Sequence, residues 1–129
     1  MVQASVEPPE HEGWLLRTTD IRSALNSLTH PASLVQARDS VGMQWIVKVL
    51  GLDSRSRLFF WRPDSGMARQ ADGLADRLAS APLDFTATAY DGSWLQFQAG
   101  QPALVRFDDG SLLMVSPFPA RLRHEFNPG

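Results

Sequence analysis

The chain contains no cysteine. That absence excludes a disulfide framework, a thiolate metal site and a cysteine nucleophile, and it permits a reducing compartment. Long apolar runs are missing too. No stretch approaches the roughly 18 residues a membrane helix requires, so membrane insertion is not expected. The opening segment Met1-Val2-Gln3-Ala4-Ser5-Val6-Glu7 lacks the basic and apolar regions of a secretory signal, and the expected location is cytoplasmic. There is no excess of positive charge either: 12 Lys and Arg against 14 Asp and Glu give a net charge of -2. Such a balance supplies no global attraction to nucleic acid or anionic lipid, and nucleic acid is not an expected partner.

Recognisable catalytic signatures are also absent. His11, His30 and His124 fall in an N-terminal arm, at a helix end and in the tail, and no pair has metal-ligand spacing. His11-Glu12 is not followed by the second histidine of a zinc-protease helix. No Gly-x-Ser-x-Gly, Walker A loop or dinucleotide glycine fingerprint occurs. The expectation is a protein that is not an enzyme, holds no cofactor or metal, and is colourless when purified. The acidic residues Asp39, Asp53, Asp64, Asp91, Asp108 and Asp109 concentrate at turns, where a carboxylate typically accepts hydrogen bonds from local backbone.

What is present reads as one domain. A chain of 129 residues buries roughly two-thirds of the surface its unfolded form exposes, and 43% hydrophobic with 20% charged residues is ordinary globular composition. Residues 1–13, with Pro8, Pro9 and three glutamates, have little to bury and are expected to form a disordered polar arm. Trp14-Leu15-Leu16-Arg17 suits a short strand. Thr19 is a plausible N-cap for a helix from Asp20 to Leu28, with Ile21, Leu25 and Leu28 at helical spacing and His30-Pro31 ending it.

From Leu34 the apolar period becomes two. Leu34 to Arg38, Met43 to Leu52 and Arg57 to Arg62 read as antiparallel strands separated by Asp- and Ser-rich turns. Along the second, Trp45, Val47 and Val49 share one face, and Ile46, Leu50 and Leu52 the other. Met67, Ala71, Leu74, Ala75 and Leu78 suggest a second helix from about Ser65 to Ala79. Leu83 to Tyr90, Ser93 to Gln98, Ala103 to Phe107 and Leu112 to Val115 return to strands, with Asp91-Gly92 and Asp109-Gly110 as hairpin turns. Hairpin-linked strands with only two helices predict an α+β, mainly β fold: an antiparallel split β-barrel of about seven strands spanning residues 14–116.

Two basic groups stand out. Arg55, Arg57 and Arg62 flank the apolar run 58–61, and Arg121, Arg123 and His124 crowd the tail. In that tail Phe118, Leu122 and Phe126 recur every four residues, while Pro117 and Pro119 oppose a regular helix or central strand. Residues 117–129 are therefore expected to be a linker-like segment that the barrel can lose without unfolding. Phe118, Arg121, Leu122, Arg123, His124 and Phe126 are the candidate contacts to a partner, since aromatic and arginine side chains are enriched at interfaces.

The order Trp14-Leu15-Leu16-Arg17, the helix from Asp20 to Leu28, the strand pair from Gln44 to Trp61 and the segment Asp91-Gly92-Ser93-Trp94-Leu95-Gln96-Phe97 resemble the N-terminal domain of YcgR-like flagellar brake proteins. The segment from Pro117 to Phe126 resembles that family's linker into a PilZ domain. The resemblance covers residues 14 to 126 and implies a regulatory, protein-interacting split barrel in motility or cyclic-di-GMP signalling. Its expected partner is a protein: a PilZ protein, a flagellar component or a second copy. The family's linker binds cyclic-di-GMP through Arg-x-x-x-Arg, but His124 and Pro128 occupy those two positions here. The PilZ motif Asp-x-Ser-x-x-Gly has only partial echoes at Asp91-Gly92-Ser93 and Asp109-Gly110-Ser111, with Gln96 and Met114 at the glycine position. Cyclic-di-GMP binding by the PilZ mode is therefore not expected. Two alternatives remain open on the residues: cyclic-di-GMP binding through Arg121, Arg123 and Trp61 or Trp94, and a flavin-binding barrel with a phosphate site at Arg55, Ser56 and Arg57.

Overall fold

The computed structural model describes residues 13–64 and 76–125. Nine strands and one ten-residue helix are delimited there: β1 (Trp14–Leu15), α1 (Thr18–Ser27), β2 (Leu34–Arg38), β3 (Gln44–Asp53), β4 (Leu58–Pro63), β5 (Leu83–Thr88), β6 (Trp94–Ala99), β7 (Ala103–Arg106), β8 (Leu112–Pro117) and β9 (Leu122–Glu125). The expected helix over 65–79 lies mostly outside the described residues. Residues 76–78 are helical and Leu78 is fully buried.

Local chemistry explains most element ends. Ile21 and Leu25 are the buried stripe of α1, joined by Leu28 just beyond it. The helix begins before Thr19, because Arg17 takes the extended cap conformation and no side chain caps the first turn. After the helix, the Ala32 backbone N–H donates to Nδ1 of His30 at 3.0 Å, closing the turn at Pro31. Asp39 Oδ1 accepts from the N–H groups of Val41 and Met43, and Asp53 Oδ1 from those of Arg55 and Ser56. Both hairpin turns read from Asp-Gly pairs are present, with Gly92 and Gly110 at positive φ.

The strands form a single antiparallel sheet in the order β1-β9-β6-β5-β2-β3-β4-β8-β7. In a flat sheet β4 and β6, four positions apart, would be about 19 Å from each other. Yet Phe59 on β4 and Phe97 on β6 meet edge to face with ring centroids 5.8 Å apart, and Phe85 on β5 touches both. The sheet must therefore curl around this aromatic cluster. Trp61, Phe59, Phe85, Leu95, Met114 and Leu122 fill the concave side, with Leu25 and Leu78 from the helical segments. The two outermost strands, β1 and β7, do not pair with each other, so this is a curled open sheet of nine strands and not a hydrogen-bonded barrel of about seven.

A bulge between Val49 and Gly51 shifts the pairing with β4, so Leu52 is opposite Phe59 and packs with Val49 against the core. Leu52 therefore does not share the outer face with Ile46 and Leu50. More consequentially, the sheet does not end at Ser116. Leu122–Glu125 is a strand inserted between β1 and β6, with Leu122 fully buried opposite Leu15. The tail expected to be a linker is an internal strand of the sheet, with Leu122 and His124 on its inner side in alternation with Arg123 and Glu125.

Candidate interaction surface

Pro117, the last residue of β8, stands opposite Leu58, and Pro119 keeps the segment between β8 and β9 out of strand pairing, as proline lacks the N–H a ladder requires. The segment is nevertheless held at both ends. The Phe118 N–H donates to the Arg57 carbonyl at 2.8 Å, and beyond Leu122 the His124 N–H donates to the Gly13 carbonyl at 2.7 Å. Residues 117–121 form a ridge with a groove on each side, and Ala120 lines both.

The first groove, of about 450 Å³, is lined by Trp14, Asp84, Gln96, Gln98, Ala120 and Arg121, with Phe97 beneath. The Arg121 guanidinium lies 4.4 Å from the centre of the Trp14 ring, a cation–π contact worth about 0.5–1 kcal/mol at an exposed site. Arg123 projects outward opposite Gln96 and pairs with Glu125 at 2.8 Å. The second groove, of about 430 Å³, is lined by Leu16, Thr18 and Ile21 from the start of α1, by Ser56 and Arg57 from the β3–β4 turn, and by Pro117, Phe118, Pro119 and Ala120. Arg57 takes a left-handed backbone conformation, φ 57°, otherwise restricted to glycine among the described residues.

The fold thus divides the expected contact residues. Arg121 and Arg123 are available on the outer surface, and Phe118 is half-buried between the core and the second groove. Leu122 is core and is corrected from contact to packing residue. His124 is half-buried on the inner face of β9 opposite Leu95. Phe126 lies outside the described residues. Trp61 cannot serve a surface ligand: it is fully buried, and its Nε1–H donates to Oγ of Ser116 at 2.8 Å. Trp94 is half-buried on β6 opposite Glu125. Trp14, read only as the start of a strand, is the aromatic that Arg121 actually meets; its position at the edge of the polar arm was the available signal.

Asp39 also pairs with Arg77 at 2.7 Å, whereas Asp91 and Asp109 act within their own turns. Asp91 and Asp109 accept from the backbone N–H of Ser93 and Ser111 at 2.9 Å each. Those bonds hold the Asp91 carboxyl below its ordinary value of 3.8, and the Ser111 hydroxyl and N–H do the same for Asp109. Among the described residues no group of three or more His, Asp or Glu is arranged to hold a metal ion, and no helix is long and apolar enough to cross a membrane.

No protein-family profile and no curated protein sequence matches the chain. Solved structures do match its fold. The YcgR-N domain of YcgR from Escherichia coli superposes with a TM-score of 0.69 at 15% identity, covering 89% of this chain and 96% of that domain. YcgR from Escherichia coli in complex with c-di-GMP gives 0.70 at 14% identity, covering 91% of this chain and 48% of that protein. K. pneumonia MrkH in its apo state gives 0.58 at 12% identity over 90% and 45%. The chain has the YcgR-N fold and spans about half the length of YcgR and MrkH.

Proposed function

We propose that this chain, a protein with the YcgR-N fold, is a non-enzymatic regulatory module that acts by binding another protein in cyclic-di-GMP-linked control, with flagellar motility as the first pathway to test. The observation that carries this reading is the extent of the match, nearly the whole of a YcgR-N domain, on a chain whose concave side is filled by side chains. A filled interior leaves the outer surface to do the work, and half-buried Trp14 with exposed Arg121 is an aromatic–arginine pair of the kind that anchors interfaces. The partner is a PilZ protein, a flagellar component or a second copy of the chain.

The residues that pair with cyclic-di-GMP in a PilZ linker are replaced by His124 and Pro128. Each charge-assisted hydrogen bond is worth about 1.5–3 kcal/mol, so micromolar affinity for that nucleotide is not expected. The test has two arms. Surface plasmon resonance against purified PilZ and flagellar switch proteins should show binding that falls at least tenfold in the Trp14→Ala, Arg121→Ala double variant, with sedimentation velocity covering self-association. Calorimetric titration with cyclic-di-GMP should show no heat at a dissociation constant near 1 μM. Binding that the double variant leaves unchanged would remove this surface from the reading, and tight nucleotide binding would replace the reading with a ligand site at Trp14 and Arg121. That second reading draws on the same stacked pair beside Gln96, Gln98 and Asp84.

A further inference from the structure

The arginines bracketing the β3–β4 turn are not absorbed by the Trp14–Arg121 surface. Folding brings that turn to the start of α1 and to the ridge, so Ser56 and Arg57 line one groove with Leu16, Ile21 and Phe118. Arg17 and Arg55, both exposed, are chain neighbours of lining residues on its two sides. None of Arg17, Arg55 and Arg57 forms a salt bridge among the described residues, whereas Arg38, Arg77, Arg106 and Arg123 all do. The nearest acids form no ion pair with them among the described residues. Asp53 has its Oδ1 committed to the turn's own backbone N–H groups, and Asp20 sits in the first turn of α1, where the helix dipole favours a negative charge. Arg57 thus lines this groove, and Arg17 and Arg55 adjoin it, as arginines held by no ion pair among the described residues.

The floor of that groove is apolar. Leu16 is 50% exposed there, beside Ile21, Phe118 and the ridge prolines. A basic rim over an apolar floor is complementary to alternating acidic and apolar side chains. Nucleic acid would use the rim and leave Leu16 and Phe118 without a counterpart.

We infer that the groove between the β3–β4 turn, the start of α1 and residues 117–120 docks an extended acidic segment of a partner protein, its carboxylates pairing with Arg17, Arg55 and Arg57 and its apolar side chains covering Leu16 and Phe118. This rests on the reading of the chain as an interaction module and specifies the chemistry of what it binds. Arginine suits the role because its planar fork pairs bidentately with carboxylates.

The probe is a fluorescein-labelled peptide of about twelve residues alternating glutamate with leucine and phenylalanine, titrated into the full chain by anisotropy. Saturable binding is expected, with amide NMR shifts centred on Leu16, Ile21 and Phe118. Affinity should fall at least tenfold for the Arg55→Glu, Arg57→Asn variant, asparagine being tolerant of the left-handed backbone at position 57. A fall of the same order is expected when glutamine replaces glutamate in the peptide, and when its leucine and phenylalanine are replaced by serine. Arg17→Glu, away from the turn, gives a second variant should the first lose its thermal transition. No saturable binding, binding indifferent to charge reversal, shifts centred elsewhere, or tighter binding of a short DNA duplex would each overturn the inference. Peptide binding that survives Trp14→Ala, Arg121→Ala while PilZ and flagellar proteins fail to bind would uphold the groove and reject the partner reading.

Discussion

Gly13 shows how one residue can hold an edge of this sheet. Its φ is +98°, and a Cβ built there would lie 2.6 Å from the backbone oxygen of His124. Glycine is thus required by both the left-handed backbone and the close approach to β9. Gly13→Ala is expected to destabilise the protein by about 1 kcal/mol or more, read as a lower urea midpoint, and to weaken amide protection in β1 and β9 first. An unchanged midpoint would show that the β1–β9 edge contributes little. Trp61 provides a second test. Its indole satisfies the fully buried Ser116 hydroxyl, and Trp61→Phe strands that hydroxyl at a cost of about 1–3 kcal/mol, besides the volume lost. Adding Ser116→Ala to Trp61→Phe should recover part of the loss, and a strictly additive pair would mean that the hydrogen bond is not what couples them.

At the scale of elements, β9 decides how the tail behaves. Its four residues are flanked by strands on both sides, and Leu122 enters the core. Deleting residues 117–129 is therefore expected to abolish the cooperative thermal transition, the reverse of what a linker would do, because it removes Leu122 from the core, exposes one edge of β6 and leaves β1 without a partner strand. Circular dichroism melts of the truncated and full chains decide it, and a preserved transition would show β9 to be dispensable. The turns make a different kind of contribution. The carboxyls of Asp91 and Asp109 lie below 3.8 in the folded state. A depressed folded pKa stabilises above the unfolded value, and that contribution is lost as pH falls through the folded values. Stability should decline on the acid side of about 3.8, and Asp91→Asn, Asp109→Asn should flatten that decline without altering the curve near pH 7. An acid limb identical in the variant would assign the loss to other carboxylates.

At the scale of the whole molecule, a curled sheet with a filled interior directs function to the outside. The aromatic rings of β4, β5 and β6 occupy the space in which an open barrel could hold a ligand, so purified protein is expected to carry no flavin absorbance. A stoichiometric flavin band would require a site outside that interior. The surface carries the two grooves separated by residues 117–121, one built on a tryptophan–arginine stack and the other rimmed by arginines.

The alternation of Trp45, Val47 and Val49, the helical stripe of Ile21, Leu25 and Leu28, and the Asp-Gly turns were legible because each is local: side-chain period and turn chemistry act within a few residues. The YcgR-N resemblance was legible for the same reason, in the order of those local patterns. Tertiary structure alone decided the rest. Leu52 turns inward only because the bulge at Val49/Gly51 shifts the pairing with β4, and the sequence does not mark which strand will be the partner. Leu122-Arg123-His124-Glu125 is too short and too charged to announce a strand; it becomes one because β1 and β6 offer unpaired edges on either side. The groove at Ser56 and Arg57 joins residues from positions 16–21, 56–57 and 117–120, and no spacing rule connects segments that only chain closure brings together.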